Sequence, residues 1–312
     1  MTDELRLLVD LGAADTGSAL KDTAPGFARA LGRGDALEAG EPGRTAQWMR
    51  HFDVVPRRLP AAPLTRLLDA DDARVGRWMR CDPAHVRADM ATARMLAHGE
   101  ALQLRDEEAQ QFGDSLRMLF GDFGYVLSIS RPDRWFLQLP TDSKPPSFVA
   151  PDQAIGDDLL AHMPEGPEGK RWRSILNDAQ VLLHQHPLNA ERSAAGKPAV
   201  NSLWFWGEGV LPDFARSALH GVVSRDPLAA ALCKLSTVPL LPADRLWEAE
   251  SVLLDVTHLG NVTQLERGIW PEVAAKLADR TLKRCVVDAL DGRRFALERG
   301  QRWRFWRRPL AG

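Results

Sequence analysis

The sequence predicts an α/β protein, and three observations predict it. Stretches with helical spacing of apolar residues alternate with short apolar runs that end in glycine or an acid. One such run, Leu203, Trp204, Phe205 and Trp206, is continuously apolar between Asn201 and Gly207, the pattern of a strand buried on both faces. Finally, α/β patterns at both ends of the chain bracket a helix-strand-strand-helix stretch, which reads as an outer layer split by an insert.

The elements follow in order. "LRLLVDLGAAD" is an apolar run closed by Asp10 and Gly12, a strand and its loop. Helices are expected around Pro25 to Leu31 and around Arg44 to Phe52. A short helical piece, an acidic turn (Asp69, Asp71, Asp72) and a strand near Val75 to Cys81 come next. Asp106, with glutamates in the first turn, starts a helix whose apolar positions recur through Phe112, Leu116, Leu119 and Phe120. "YVLSIS" and "RWFLQL" flank "RPD" as strand, turn and strand. A long helix spans Glu168 to His184 and stops before Pro187; "LNAERSAAGKPAV" then reads as a loop leading into the Leu203 strand. After that strand, Gly207 and Gly209 flank Glu208 in what reads as a hinge loop. Toward the end of the chain, "PADRLWEAESVLLDVTHLG" reads as helix and strand, "WPEVAAKLADRTL" as helix, and Asp291-Gly292 as the turn of a hairpin.

With 312 residues, 45% hydrophobic and 26% charged, the chain is long enough for one large domain or two smaller ones. A formal net charge of −2 gives no global case for binding nucleic acid or a membrane surface. No apolar stretch approaches the roughly 20 residues of a spanning helix. The start "MTDELRLLVD" is acidic and lacks the pattern of a secretion signal, and the cytoplasm is the expected location. Cys81, Cys233 and Cys285 are widely spaced and odd in number, so each is read as a small buried hydrophobe. Ten tryptophans stand against a single tyrosine, several beside an arginine (Arg77-Trp78, Arg134-Trp135, Arg302-Trp303), a pattern that stacking or composition bias could produce.

Over about residues 77 to 214 the order and spacing of several motifs resemble one family. "RCDPAHV", "LQLRDEEA", "DRWFLQL", "QAIGDDLLAHMPEG" and "LLHQHPLNAERSAAGKPAVNSLWFWGEGVLPDF" resemble the archaeal-type cofactor-independent phosphoglycerate mutases of the alkaline phosphatase superfamily. The whole chain, with its closing "RWRFWRRPLAG", is similar to a proteobacterial group described as phosphoglycerate mutase-like or RpfE-like regulatory proteins. The resemblance implies an alkaline-phosphatase-like core sheet with helices on both faces, formed by 1–79 and 201–312. It also implies a smaller α/β lid inserted over 80–200. It further implies a serine nucleophile and two divalent metals held by Asp and His, since the metals depress the alcohol's pKa and neutralise the phosphate.

Most of that set has no match here. Asp10 and Gly12 stand near the family's first metal motif, but Ala61, Ala62 and Pro63 occupy the place of the nucleophile, with Thr65 the only nearby hydroxyl. The C-terminal Asp-His motifs are missing; His220 and His258 remain, and Asp255 with His258 would face opposite sides of a strand. Asp10, Asp255 and His258 are thus the only metal candidates, and Asp10 and Thr65 the only catalytic ones. No cofactor is expected, and manganese, magnesium or zinc would enter only if the chain were an enzyme.

For a small phosphorylated or carboxylated ligand, the sequence offers the cations Arg80, Arg134 and Arg192, the amides Asn189 and Asn201, and His186 and Glu208. Each has a structural alternative: a solvated arginine, or a helix-ending turn for His186 and Asn189. Arg302, Trp303, Arg304, Trp306 and Arg307 form an aromatic, cationic segment suited to an acidic protein partner or to docking on the core. The leading reading is a non-catalytic protein of mutase-like ancestry with a regulatory or ligand-binding role. A weak metal-dependent mutase or phosphatase and a C-terminal interaction module are the rivals. Nucleic acid and membrane partners are not expected.

Overall fold

A computed structural model describes residues 2–12, 19–89 and 92–311; the end of the "VDLGAAD" motif (13–15) lies outside the described residues. The chain divides into two compact units, one formed by 1–58 with 213–312 and the other by 59–212. No helix among the described residues is long and apolar enough to cross a membrane.

The first unit contains β1 (Glu4–Val9), α1 (Leu20–Thr23), α2 (Pro25–Arg33), β2 (Asp35–Ala36), α3 (Arg44–Met49) and β3 (Asp53–Val55). The second contains α4 (Ala61–Asp69), β4 (Arg77–Ala88), β5 (Ala93–His98), α5 (Asp106–Asp122), β6 (Val126–Arg131), β7 (Arg134–Leu139), α6 (Pro151–Ala154), α7 (Gly166–His184), α8 (Leu188–Ala194) and β8 (Ser202–Gly209). The chain then returns to the first unit with β9 (Phe214–Arg216), β10 (Gly221–Val223), α9 (Pro227–Ser236), β11 (Ser251–Asp255), α10 (Val262–Arg267), α11 (Trp270–Asp279), β12 (Arg284–Ala289) and β13 (Arg294–Glu298).

The sheet of the first unit runs β10-β11-β1-β12-β13-β2. Its first four strands are parallel, β13 runs antiparallel beside β12, and β2 pairs antiparallel with β13. A central parallel strand must bury both faces, and β1 does so with Leu5, Leu7 and Val9 on one side and Leu8 on the other. Leu5, Leu7 and Val9 share a core with Phe27 and Leu31 of α2, Val262 and Leu265 of α10, and Trp270, Val273 and Leu277 of α11. Phe27 meets Trp270 edge to face at 5.0 Å. The opposite face is covered by α3, whose Gln47 donates to the Val9 and Asp288 carbonyls. Helices thus lie on both faces of this sheet, and the predicted hairpin forms with Gly292 at φ +90°.

The second unit is built on a five-stranded antiparallel sheet in which the long β4 pairs with β5, β7 and β8. One face buries Met79, Cys81, Trp135, Leu137, Leu203 and Phe205 under α5 and α7. The other places Ala62 of α4 against Trp78 and Phe136, and Trp204 against Ala84 and Met95. The Leu203 strand is indeed buried on both faces.

Three sequence readings change. The insert is larger than 80–200, because α4 packs on β4 and β8, and β8 pairs with β4 along 78–84 instead of joining the first unit's sheet. "LNAERSAAGKPAV" is not a plain loop: its first half forms α8, anchored by buried Leu188 and Arg192. Gly207 and Gly209 lie within β8, not in a hinge loop beyond it. Gly207 has φ +65°, and a Cβ there would lie 2.8 Å from that of Ala61, so the glycine admits the close approach of α4.

Candidate functional site

In an open parallel sheet, ligands and catalytic groups gather beyond the carboxyl ends of the strands. In the first unit an acid stands at or next to the last residue of β1, β11 and β12: Asp10 just after β1, Asp255 ending β11 and Asp288 one before the end of β12. Leu8 of β1 is in register with both Asp255 and Asp288, so the two carboxylates project on the α3 face, one strand to either side of β1. Asp226, three residues beyond β10, completes the row and caps α9 by accepting from the Leu228 amide at 2.8 Å.

Arg44 at the start of α3 lies between two of these acids. Its Nη2 is 2.8 Å from Asp226 Oδ2 and 2.8 Å from Asp255 Oδ2, and Nη1 donates to Asp255 Oδ1 at 3.2 Å and to Thr257 Oγ1. Ser224 Oγ donates to Asp255 Oδ2 at 2.7 Å, and Thr257 donates to Oδ1 through both its amide and its hydroxyl, at 3.1 and 2.6 Å. Burial alone would push the Asp255 carboxyl up. The Arg44 hydrogen bonds and charge, with Thr257 and Ser224, instead hold it below the usual carboxylate range. Arg44 is correspondingly raised: its desolvation is outweighed by Asp255 and Asp226.

The other end of α3 serves Asp288. Arg50 Nε and Nη2 grip it at 2.9 and 2.5 Å, and His51 Nε2 lies 3.2 Å from Oδ2. Burial pushes His51 below the ordinary histidine range, more than the neighbouring Asp288 raises it. A neutral ring that donates from Nε2 to Asp288 leaves Nδ1 to accept from Arg6 Nη1 at 3.4 Å, which fixes the tautomer. Asp288 itself is held low: burial raises it, and His51 and Arg50 more than compensate.

These contacts decide whether a metal fits. An ionised carboxylate offers about four lone-pair positions, and Asp255 already accepts five hydrogen bonds, two of them from a cation. A divalent ion would have to displace Arg44. Among the described residues no three His, Cys, Asp or Glu side chains are disposed to hold a metal. Asp10 is half-buried, accepts among the described residues from the Gly12 amide at 2.9 Å, and lines a crevice of about 10 Å³ with Thr257 and Asn261, room for about one water. His258 lies on an exposed 3₁₀ turn (Thr257–Leu259), past the strand on which the sequence placed it, and does not join Asp255.

The remaining predicted residues are engaged within the protein. Thr65, buried in α4, donates to the Ala61 carbonyl at 2.6 Å and accepts from Arg80 at 3.2 Å; this is a back-bonded helix hydroxyl, not a poised nucleophile. Arg80 is buried against Asp82 at 2.8 Å and lies over the rings of Phe136 and Trp206. Arg134 pairs with Asp69 at 2.7 Å. Arg192, 1% exposed, holds Glu108 at 3.1 Å and donates to the carbonyls of Leu102 and Pro198. Asn189 bonds both amide and carbonyl to the backbone at Leu183 and Val200, and Asn201 pairs with both backbone groups of Val86 at 2.8 Å. His186 packs tilted against the Phe112 ring at 4.5 Å and accepts from the Leu188 amide, the helix-ending role. Glu208 pairs with Arg77 at 2.6 Å.

In the C-terminal segment Arg304 pairs with Asp35, and Arg307 donates to the Gly34 carbonyl and lies 3.8 Å from Asp35. Arg302 stacks on Trp303. Trp303, Phe305 and Trp306 remain 62%, 74% and 71% exposed. Other arginine–tryptophan stacks join residues apart in sequence, Arg66 on Trp78 and Arg80 on Trp206, instead of the neighbours in the chain.

Sequence reasoning missed Arg44, Asp226 and Asp288 as a group. The available signal was a repeated ending, "LLVD", "VLLD" and "CVVD", in which an apolar strand closes on aspartate.

No protein-family model matches the chain. The probable 2,3-bisphosphoglycerate-independent phosphoglycerate mutase of Geobacter sulfurreducens is 36% identical over 69 residues, 22% of this chain and 17% of that protein. The 2,3-bisphosphoglycerate-independent phosphoglycerate mutase of Methanothrix thermoacetophila is 32% identical over 113 residues, 36% of this chain and 28% of that protein. The chain is similar to these mutases over part of its length. The matches span less than a third of either relative. Among solved structures, a cofactor-independent phosphoglycerate mutase from Thermoplasma acidophilum aligns over 95% of this chain and 89% of its own, with 17% identity and a TM-score of 0.44. The PH0037 protein from Pyrococcus horikoshii aligns over 95% and 87%, with 12% identity and a TM-score of 0.49.

Proposed function

We propose that this chain is a non-catalytic protein of phosphoglycerate mutase-like ancestry that acts in a regulatory or ligand-binding role. The supporting observation is the saturated Asp255 carboxylate, neutralised by Arg44 and five hydrogen bonds at the edge where a two-metal site would need free acids. A second support is Thr65, whose hydroxyl is engaged inside α4 and has no general base beside it.

The test is interconversion of 3- and 2-phosphoglycerate by the full chain with manganese, magnesium or zinc, beside an Asp10→Asn control. The expected result is no turnover above that control. Turnover that the control loses would overturn the proposal. A second reading, an interaction module, is favoured by the exposed Trp303, Phe305 and Trp306. It predicts a protein partner whose retention depends on those aromatics.

A further inference from the structure

At the amino end of the same parallel sheet, opposite the acid row, α2, α11 and the 3₁₀ turn after β13 line a half-open cavity of about 270 Å³. Its apolar walls come from Trp270, Ala274, Leu277 and Leu297. Its rim carries four arginines, Arg29, Arg33, Arg299 and Arg302. Among the described residues none of the four has a carboxylate within ion-pair distance, whereas Arg284, Arg304 and Arg307 nearby are matched to Glu298 and Asp35.

The unpaired charge is concentrated. Arg280, then burial and Arg302, push the half-buried Arg299 guanidinium below its ordinary range. Arg33 donates through Nη1 to the Arg302 carbonyl at 2.9 Å, yet its Nε is buried with no acceptor. The Nε groups of Arg77, Arg134, Arg284 and Arg294 are unmet in the same way, so what sets Arg33 apart is its place on the cavity lining. Of the other polar lining groups, Gln301 is engaged by Asp35 and the Glu298 amide, each at 3.0 Å, and the single acid, Glu298, lies 3.8 Å from Arg284. What the cavity offers a ligand is therefore apolar area and positive charge.

We infer that this cavity binds a compact amphipathic anion, an acyl-type carboxylate whose apolar body lies against Trp270, Ala274 and Leu277 while its head meets the arginine rim. The volume is at the small end of ligand pockets, which start near about 300 Å³, so a medium-length chain suits it and a dinucleotide does not. This inference stands on residues separate from the acid row and holds whether or not that row is inert.

The test is calorimetric titration of decanoate, below its micelle concentration, into the full chain. Decan-1-ol and decyltrimethylammonium serve as neutral and cationic comparisons. Decanoate should bind one to one, at least roughly ten-fold more tightly than the alcohol, since a charge-assisted hydrogen bond contributes about that much. Its affinity should fall as salt is raised. Arg299→Ala with Arg302→Ala should weaken it roughly ten-fold or more. Ala274→Trp, which fills the cavity, should abolish binding. Ala278→Trp, at an exposed lining position, gives the same reading should the first variant fail to fold. Absence of saturable binding, equal affinity for the alcohol, or full affinity in a folded, cavity-filled variant would overturn the inference.

Discussion

Replacing Arg44 with alanine tests the central claim about the carboxyl edge. The substitution removes the one cation among the described residues that reaches both Asp226 and Asp255, and leaves Asp255, 2% exposed, as an uncompensated charge. Breaking a buried pair by removing one partner costs about 3–5 kcal/mol. Ser224 and Thr257 still donate to Asp255, so the loss belongs near the lower end, about 3 kcal/mol at neutral pH. The pH dependence is the sharper signature. In the intact protein the Asp255 pKa is depressed in the folded state, so its stabilisation is present above the ordinary carboxylate value of about 3.9. It is lost as the pH falls through the depressed value. Without Arg44, burial lifts the folded pKa above that of the unfolded chain. The carboxylate then destabilises at neutral pH and ceases to do so once it protonates. The difference between variant and parent should therefore shrink toward about 1 kcal/mol on acidification, the net value of the lost hydrogen bonds. Urea unfolding at several pH values, with native-state hydrogen exchange of β1, β11 and β12 amides, reports this unit separately. A loss below about 1 kcal/mol at neutral pH, or a loss that does not change with pH, would refute the claim that Arg44 compensates a buried charge.

Substitutions at two further residues, Arg192 and His51, probe the supports of each unit. Arg192→Met should destabilise the second unit by about 3–5 kcal/mol in urea unfolding, because Glu108 and the Leu102 and Pro198 carbonyls lose a buried donor. Arg192→Lys should recover little, since an ammonium cannot reproduce the fork. His51 is held below the ordinary histidine range, so the unfolded chain takes up its proton first as the pH drops. Stability should then fall from about pH 6.5 downward, by at most about 1.4 kcal/mol per pH unit for this one group. His51→Gln should flatten that slope, and an unchanged slope would place the titration elsewhere.

Much of the fold was legible because period and punctuation agreed. Leu5, Leu7, Leu8 and Val9 announce a strand buried on both faces, and Phe112, Leu116 and Phe120 a helix with one buried stripe. The failures have physical causes. The strands β2, β3, β9 and β10 are two or three residues long, too short to show any period. The helix α8 carries Asn189, Ser193 and a following Gly196, and forms because Leu188 and Arg192 are buried, a tertiary effect that propensity cannot report. At the site the acids were visible singly but their partner was not. Arg44 meets Asp226 and Asp255 across 182 and 211 residues, a relation that strand order creates. Conversely, the predicted anion-binding side chains Arg80, Arg134, Asn189, Arg192 and Asn201 have the right chemistry, but their own backbone and carboxylate neighbours engage it first.

The geometry of α3 explains how one short helix meets Asp226, Asp255 and Asp288 together. Asp255 and Asp288 sit on strands separated by β1, two strand spacings or about 9–10 Å apart. Arg44 and the Arg50–His51 pair are six to seven residues apart, which at about 1.5 Å per residue covers the same distance. Arg44, Gln47, Trp48 and His51 also follow the i, i+3, i+4, i+7 spacing that puts side chains on one helix face. Gln47, midway, donates to the carbonyls of Val9 and Asp288, so the helix is fixed to the backbone at its centre and to a carboxylate at each end. A guanidinium makes fixed, directional hydrogen bonds to a carboxylate, whereas a catalytic metal needs ligands with a free lone pair and an open position. An acid row matched in length by a helix of cations is therefore arranged for holding a sheet edge shut, with the lone pairs of Asp255 already taken up by Arg44, Ser224 and Thr257.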